Sequence, residues 1–146
     1  EPVFREIAEA LNDAFSDDSV KTQGLDLQLS GVGFFGSRQA PRVLWVGVEK
    51  SVALKKLYNK VENILRELRL PPSERKFSPH VTLARFTGEA NGGHGGIGQW
   101  YRIGDFIEMY NLYRSSIFMV REFVLYSSKL TSKQSIYRKE VIYQLG

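Results

Sequence analysis

Apolar residues recur at three- and four-residue spacings through the first fifteen positions, at Phe4, Ile7, Ala8, Leu11 and Ala14. That period predicts an amphipathic helix, with Pro2 in its first turn, where a missing N–H costs nothing. The polar stretch Ser16 to Gly24 predicts a connection. Leu25, Leu27 and Leu29 then alternate with Asp26, Gln28 and Ser30, the two-residue period of a half-buried strand. Gly31, Gly33 and Gly36 are expected to break it. The continuous apolar run Val43 to Val48 predicts a central strand antiparallel to the one before, with Trp45 packed in the core.

Ser51 is placed to cap a long helix over 52–69. Its apolar stripe is Leu54, Leu57, Val61, Ile64, Leu65 and Leu68, and Pro71 and Pro72 end it. Lys55, Lys56, Lys60, Arg66 and Arg69 lie largely off the stripe and read as a solvated face in preference to an RNA-facing one. Strand character returns at His80 to Phe86, where Val81 and Leu83 are expected to point into the core. A glycine-rich loop follows over 88–98, then a short helix over 101–113 and two strands over 117–126 and 136–145. Strand pairs without intervening helices imply antiparallel pairing, so the fold class is α+β. With no long linker and no repeat, residues 1–146 are expected to form a single domain.

Composition narrows the chemistry. The chain has 146 residues, 42% of them hydrophobic and 25% charged, which excludes disordered, collagen-like and coiled-coil classes. No apolar run is long enough to suggest a membrane span, and no signal peptide opens the sequence, so the expected location is cytoplasmic; no oligomer signature is visible, so the expected state is a monomer. The absence of cysteine excludes disulfides, zinc ribbons and thiol catalysis. A net charge of +4 suits an anionic partner such as RNA. His80 and His94 are the two histidines, so no mechanism can draw three imidazoles from these residues.

The richest stretch is Pro79-His80-Val81-Thr82-Leu83. On a strand, His80 and Thr82 project to one face. An imidazole there can move a proton near neutrality, and a threonine hydroxyl can donate to a phosphoryl oxygen. The pattern G-x-G-x-x-G at Gly93, Gly95 and Gly98 is not a dinucleotide site, because no strand precedes it. His94 lies among glycines that would not preorganise a catalyst.

Phe77 to Arg85, reading FSPHVTLAR, resembles the second signature of the two-histidine phosphoesterases, in the branch of RNA 2′,3′-cyclic phosphodiesterases and 2′-5′ RNA ligases. The likeness extends to Gly31-Val32-Gly33-Phe34 with Pro41 to Val48, to the long helix, and to Phe123 to Leu130 with Tyr137. The resemblance implies a bilobal fold with two H-x-T motifs facing each other across a central cleft, antiparallel sheets around it and helices outside. It further implies a reaction without metal or cofactor that opens a terminal 2′,3′-cyclic phosphate of RNA to a 2′-phosphate, with 2′-5′ ligation as its reverse. On this likeness His80 activates water, while Thr82 and Arg85 hold the phosphate. In an ideal strand Arg85 would fall on the opposite face, with Val81 and Leu83, so it joins the site only if the strand bends or ends there.

One departure stands out: the chain holds a single H-x-T. The resemblance places the other in a strand–helix–strand segment of about 35–50 residues ahead of the first helix, which leads to the expectation that such a segment precedes Glu1. A second reading is an RNA- or nucleotide-binding module that keeps half of the cleft. A third is a phosphodiesterase for 2′-5′ oligonucleotides or small cyclic nucleotides.

Overall fold

The computed structural model describes residues 2–16, 24–86, 95–132 and 134–146. The element order is α1 (Pro2–Phe15), β1 (Leu25–Leu27), β2 (Leu29–Gly36), β3 (Pro41–Val48), α2 (Val52–Glu67), β4 (His80–Arg85), α3 (Gly95–Tyr110), β5 (Phe118–Val120), β6 (Glu122–Leu130) and β7 (Ser135–Gln144). This is the α+β class that the adjacent strand runs imply. β1 and β5 pair in a short two-stranded sheet. No helix among the described residues is long and apolar enough to cross a membrane. The chain divides into two units, one of Glu1–Asp26, Ser51–Arg75 and Met119–Gly146, the other of Leu27–Lys50 and Lys76–Phe118.

In the first unit, α1 packs on the antiparallel β6–β7 ribbon. Phe15 meets Phe123 edge-on at 4.8 Å between ring centroids, and Phe123 stacks on Tyr143 at 4.8 Å. The Tyr143 hydroxyl donates to the Ala8 carbonyl at 3.2 Å. Leu11, Leu25, Tyr143 and Leu145 form the buried core. Burial of an apolar side chain of this size contributes about 1.5–3 kcal/mol, so this short ribbon depends on the helix it carries.

Both ends of α2 are specified locally. Ser51 Oγ accepts from the Leu54 N–H at 3.1 Å, as its capping position predicts. At the other end, Arg69 N–H bonds to Arg66 O at 2.9 Å and Leu70 N–H to Leu65 O at 3.1 Å. This reciprocal pair is a Schellman motif. Arg69 takes the left-handed position at φ 59°, where glycine is usual. The helix therefore ends at Glu67, two residues short of the expectation. Lys60 also departs from the solvated face assigned to it. Its Nζ donates to the Ala14 carbonyl at 2.7 Å and lies 4.0 Å from the Phe15 ring centroid, which places a cation at the carboxyl end of α1.

The second unit holds a three-stranded antiparallel sheet in the order β2-β3-β4, with α3 against β2. Leu44, Val46 and Ile103 are its buried hydrophobic residues among those described. The glycines expected to break the strand that begins at Leu25 lie within β2 instead. Gly31 sits at a bulge in the β2–β3 pairing with φ 67°, and its N–H bonds to Tyr113 O at 2.8 Å. Gly33 pairs with Trp45, and a Cβ there would stand 2.5 Å from the indole. The glycine makes room for a ring that lies on the sheet. Glu49, just past β3, accepts a hydrogen bond from Arg114. Together with the Ser30–Arg114 bridge, this fastens the region after α3 to the sheet.

Candidate active site

His80 opens β4, and its imidazole is oriented by its own backbone. Nδ1–H donates to the Ser78 carbonyl at 2.7 Å. Pro79 explains why that carbonyl is in place, since the residue before a proline is confined to extended backbone. The Pro79 carbonyl in turn accepts from the Val48 N–H at 3.1 Å, which starts the ladder with β3. A carbonyl can only accept, so Nδ1 carries a proton, and Nε2 has no hydrogen-bond partner among the described residues.

Two aromatic rings flank His80. Phe35 meets it at 4.9 Å with the planes 89° apart, and Trp45 lies at 6.1 Å. Phe35 and Trp45 are themselves 5.4 Å apart. The apolar run around Trp45 predicts a core position; the residue is instead half-buried and shares the His80 face, while Leu44 and Val46 fill the core from the other face. Its Nε1 is buried and has no hydrogen-bond partner among the described residues. Phe35 carries no sequence signal of its own. Only its register opposite Val43, two residues from Trp45, brings it to the histidine.

The β3–β4 register settles the position of Arg85. Gly47 stands opposite His80, Trp45 opposite Thr82, Leu44 opposite Ala84 and Val43 opposite Arg85, with an irregularity between Leu44 and Trp45. Leu83 is the extra residue of a β-bulge. Val43, Trp45 and Gly47 share one face of β3 by strict alternation. Their partners His80, Thr82 and Arg85 therefore share that face too. Thr82 is half-buried, and His80 and Arg85 are exposed. Val81 and Leu83 do not enter the core as expected; each is 49% exposed. Among the described residues β4 pairs on one side only, and the bulge takes Leu83 out of the pairing.

An acceptor nitrogen, a hydroxyl donor and a guanidinium on one rigid face can bind a phosphoryl group and take a proton beside it. His94 lies outside the described residues. Gly95 and Gly98 of the glycine pattern fall in the first turn of α3, which begins six residues earlier than expected.

An α+β fold that lays a histidine, a threonine and an arginine on one sheet face has the character of a two-histidine phosphoesterase. Comparison with known proteins agrees: the model of the 2′-5′ RNA ligase superfamily matches residues 1–92. The chain belongs to that superfamily. It is 38% identical to the RNA 2′,3′-cyclic phosphodiesterase of Aeropyrum pernix over 92 residues, which are 62% of this chain and 49% of that protein. The protein of the same name from Archaeoglobus fulgidus is 29% identical over 119 residues, 82% of this chain and 61% of its own. Among solved structures, TT0787 of Thermus thermophilus superposes with a TM-score of 0.62 at 21% identity, covering 94% of this chain and 70% of the other, and so shares the fold. The chain thus spans about half the length of the Aeropyrum relative.

Proposed function

We propose that these residues are part of an RNA 2′,3′-cyclic phosphodiesterase that opens a terminal cyclic phosphate to a 2′-phosphate without a metal ion. The observation that carries this reading is the common face of His80, Thr82 and Arg85, with His80 Nε2 left free by the Ser78 carbonyl. Nε2 takes a proton from water as the water oxygen bonds to phosphorus. The bond from phosphorus to the 3′ oxygen breaks, and the electron pair leaves with that oxygen, which gains a proton to become the 3′-hydroxyl. Thr82 Oγ1 and the Arg85 guanidinium hold the non-bridging oxygens and balance the charge that builds on them. The proton for the 3′ oxygen comes from a second general acid, a role that His80, Thr82 and Arg85 do not supply. The same displacement with a 5′-hydroxyl in place of water forms a bond from phosphorus to the 5′ oxygen as the 3′ oxygen leaves, and joins the cyclic end to a second strand through a 2′-5′ bond. A cytoplasmic, monomeric protein acting on RNA ends completes the proposal.

The test uses the full-length protein and an oligonucleotide ending in a 2′,3′-cyclic phosphate, in the presence of a chelator. Turnover to a 2′-phosphate is expected, falling about 10²–10⁴-fold in His80→Ala. Binding without turnover in the wild type would move the chain to the RNA-binding reading. A 3′-phosphate product would overturn the assignment of the leaving oxygen.

A further inference from the structure

A single hydrogen bond holds the imidazole of His80 at one atom, and one bond does not aim a ring. The torsion that turns an imidazole has two broad settings half a turn apart. A flip between them exchanges Nδ1 for Cδ2 and carries Nε2 to the place of Cε1. The Ser78 carbonyl chooses between the settings, but His80 is exposed, so water competes for that carbonyl. The plane of the ring needs a second support, and Phe35 is placed to give it. Phe35 is half-buried, and its ring stands 4.9 Å from the imidazole with the planes 89° apart. Edge-to-face is an arrangement that aromatic rings favour.

Strand pairing alone does not make this contact. The site face carries Phe35, Val43 and Arg85 in one row, Gly33, Trp45 and Thr82 in the next, and Gly47 with His80 in the third. Phe35 and His80 lie on the two outer strands of the three-stranded sheet. They are two rows apart, so their rings meet across the row of Trp45. The indole lies 5.4 Å from Phe35 and 6.1 Å from His80. It sits close over Gly33, where a Cβ would stand 2.5 Å from it, and extends toward Gly47, where a Cβ would stand 3.4 Å away. Two glycines thus seat the indole, the indole backs the phenyl ring, and the phenyl ring faces the imidazole.

We propose that Phe35 is a positioning residue for His80, fixing the plane of the imidazole so that Nε2 is aimed at the water and phosphate of the reaction. The inference rests on the phosphodiesterase reading above and adds to it a residue that acts through His80 without touching the reacting atoms. All the parts of this support stand on strands, which hold a side chain more closely than loops do. Misplacing a reacting atom by about 1 Å costs about a hundredfold in rate. A residue that only aims the imidazole therefore acts on kcat and leaves substrate affinity alone.

The experiment compares Phe35→Leu, Phe35→Tyr, His80→Ala and the double variant of Phe35→Leu with His80→Ala in the full-length protein. The substrate is an oligonucleotide ending in a 2′,3′-cyclic phosphate. Phe35→Leu keeps apolar bulk on the sheet and removes the flat ring. It is expected to lower kcat about 10–100-fold, with KM within about twofold of wild type. Phe35→Tyr keeps the ring and should lose far less. In the His80→Ala background, Phe35→Leu should cost less than about twofold more, because no imidazole remains to be aimed. A raised KM at unchanged kcat in Phe35→Leu would give Phe35 to substrate binding and overturn the proposal. Equal losses in the two backgrounds, the mark of a merely structural role, would overturn it as well.

Nitrogen NMR of 15N-histidine reads the same support without turnover. The His80 resonances, assigned by their absence in His80→Ala, should show the Nδ1–H tautomer in wild type and Phe35→Tyr. In Phe35→Leu they should show a mixture of the two tautomers. A single Nδ1–H tautomer in Phe35→Leu would overturn the proposal, whether or not the protein hydrolyses a cyclic phosphate. Mixed tautomers in that variant without any wild-type turnover would instead sink the phosphodiesterase reading and uphold the role of Phe35 at the ring.

Discussion

Thr82 and Arg85 are three residues apart in sequence, yet they stand opposite Trp45 and Val43, which are two apart on the neighbouring strand. The extra residue, Leu83, turns an odd separation into a shared face. The position of a charge in the candidate site is thus decided by a bulge and not by the alternation of the strand that carries it.

Removing Leu83 should leave Arg85 beside Thr82, because the two would then be two residues apart and alternation alone gives them one face. In the full-length protein, the deletion is expected to lose far less activity than Arg85→Ala, whose kcat/KM should fall about 10–100-fold, the range for losing a charged hydrogen bond. Circular dichroism serves as the folding control. A folded deletion variant as impaired as Arg85→Ala would mean that the site needs the bulge itself and not only the shared face.

Gly33→Ala should disturb the aromatic wall beside His80. The new methyl would stand 2.5 Å from the Trp45 ring, so the indole must move. A loss of about 1–3 kcal/mol is expected from such overpacking, with a change in tryptophan emission. Trp100, the other tryptophan, can be replaced by Phe to isolate the signal.

Arg69→Gly should stabilise the protein. Arginine at φ 59° carries a left-handed backbone penalty of about 1 kcal/mol or more, and glycine removes most of it while keeping the Schellman bonds. Glycine also gives the unfolded chain more freedom, so the net gain in chemical denaturation should be a fraction of the penalty. Arg69→Val, branched at Cβ, should move stability the other way.

Glu49 predicts a response to acid. Its carboxyl is held below the ordinary glutamate range, chiefly by the hydrogen bond from Arg114, then by one from Ser30. In the window between the ordinary and the lowered value the unfolded chain binds more protons than the folded one. The contribution is therefore complete above the ordinary value and is lost as pH falls through the lowered one. The Glu49 side chain is 39% exposed, so solvent screens the pair and the effect is small and weakens with salt. Denaturation measured across that window should show a shallower acid slope in Glu49→Gln than in wild type.

Much of this architecture is written locally. The period of Phe4 to Ala14, the cap at Ser51, the apolar run into Val48 and the H-x-T stretch each declare an element, because each signal lies within the element it specifies. What sequence reading missed depends on a neighbour. Gly33 reads as a breaker until the ring of Trp45 arrives from the next strand to use its space. The bulge at Leu83 exists only in the pairing with β3, and Lys60 is claimed by the end of another helix. Within the site, His80 and Thr82 are legible from alternation alone. Arg85 needs the register, and Phe35 needs two registers at once.

The hydrogen bond from His80 to the Ser78 carbonyl has a further consequence for any proton traffic at this ring. Nδ1 bears hydrogen in both the neutral tautomer and the imidazolium, so the bond survives when Nε2 gains or gives up its proton. An amide carbonyl also never changes charge, unlike the carboxylate that often supports a working histidine. The imidazole can cycle between its two charge states without turning, held throughout by a support that does not titrate.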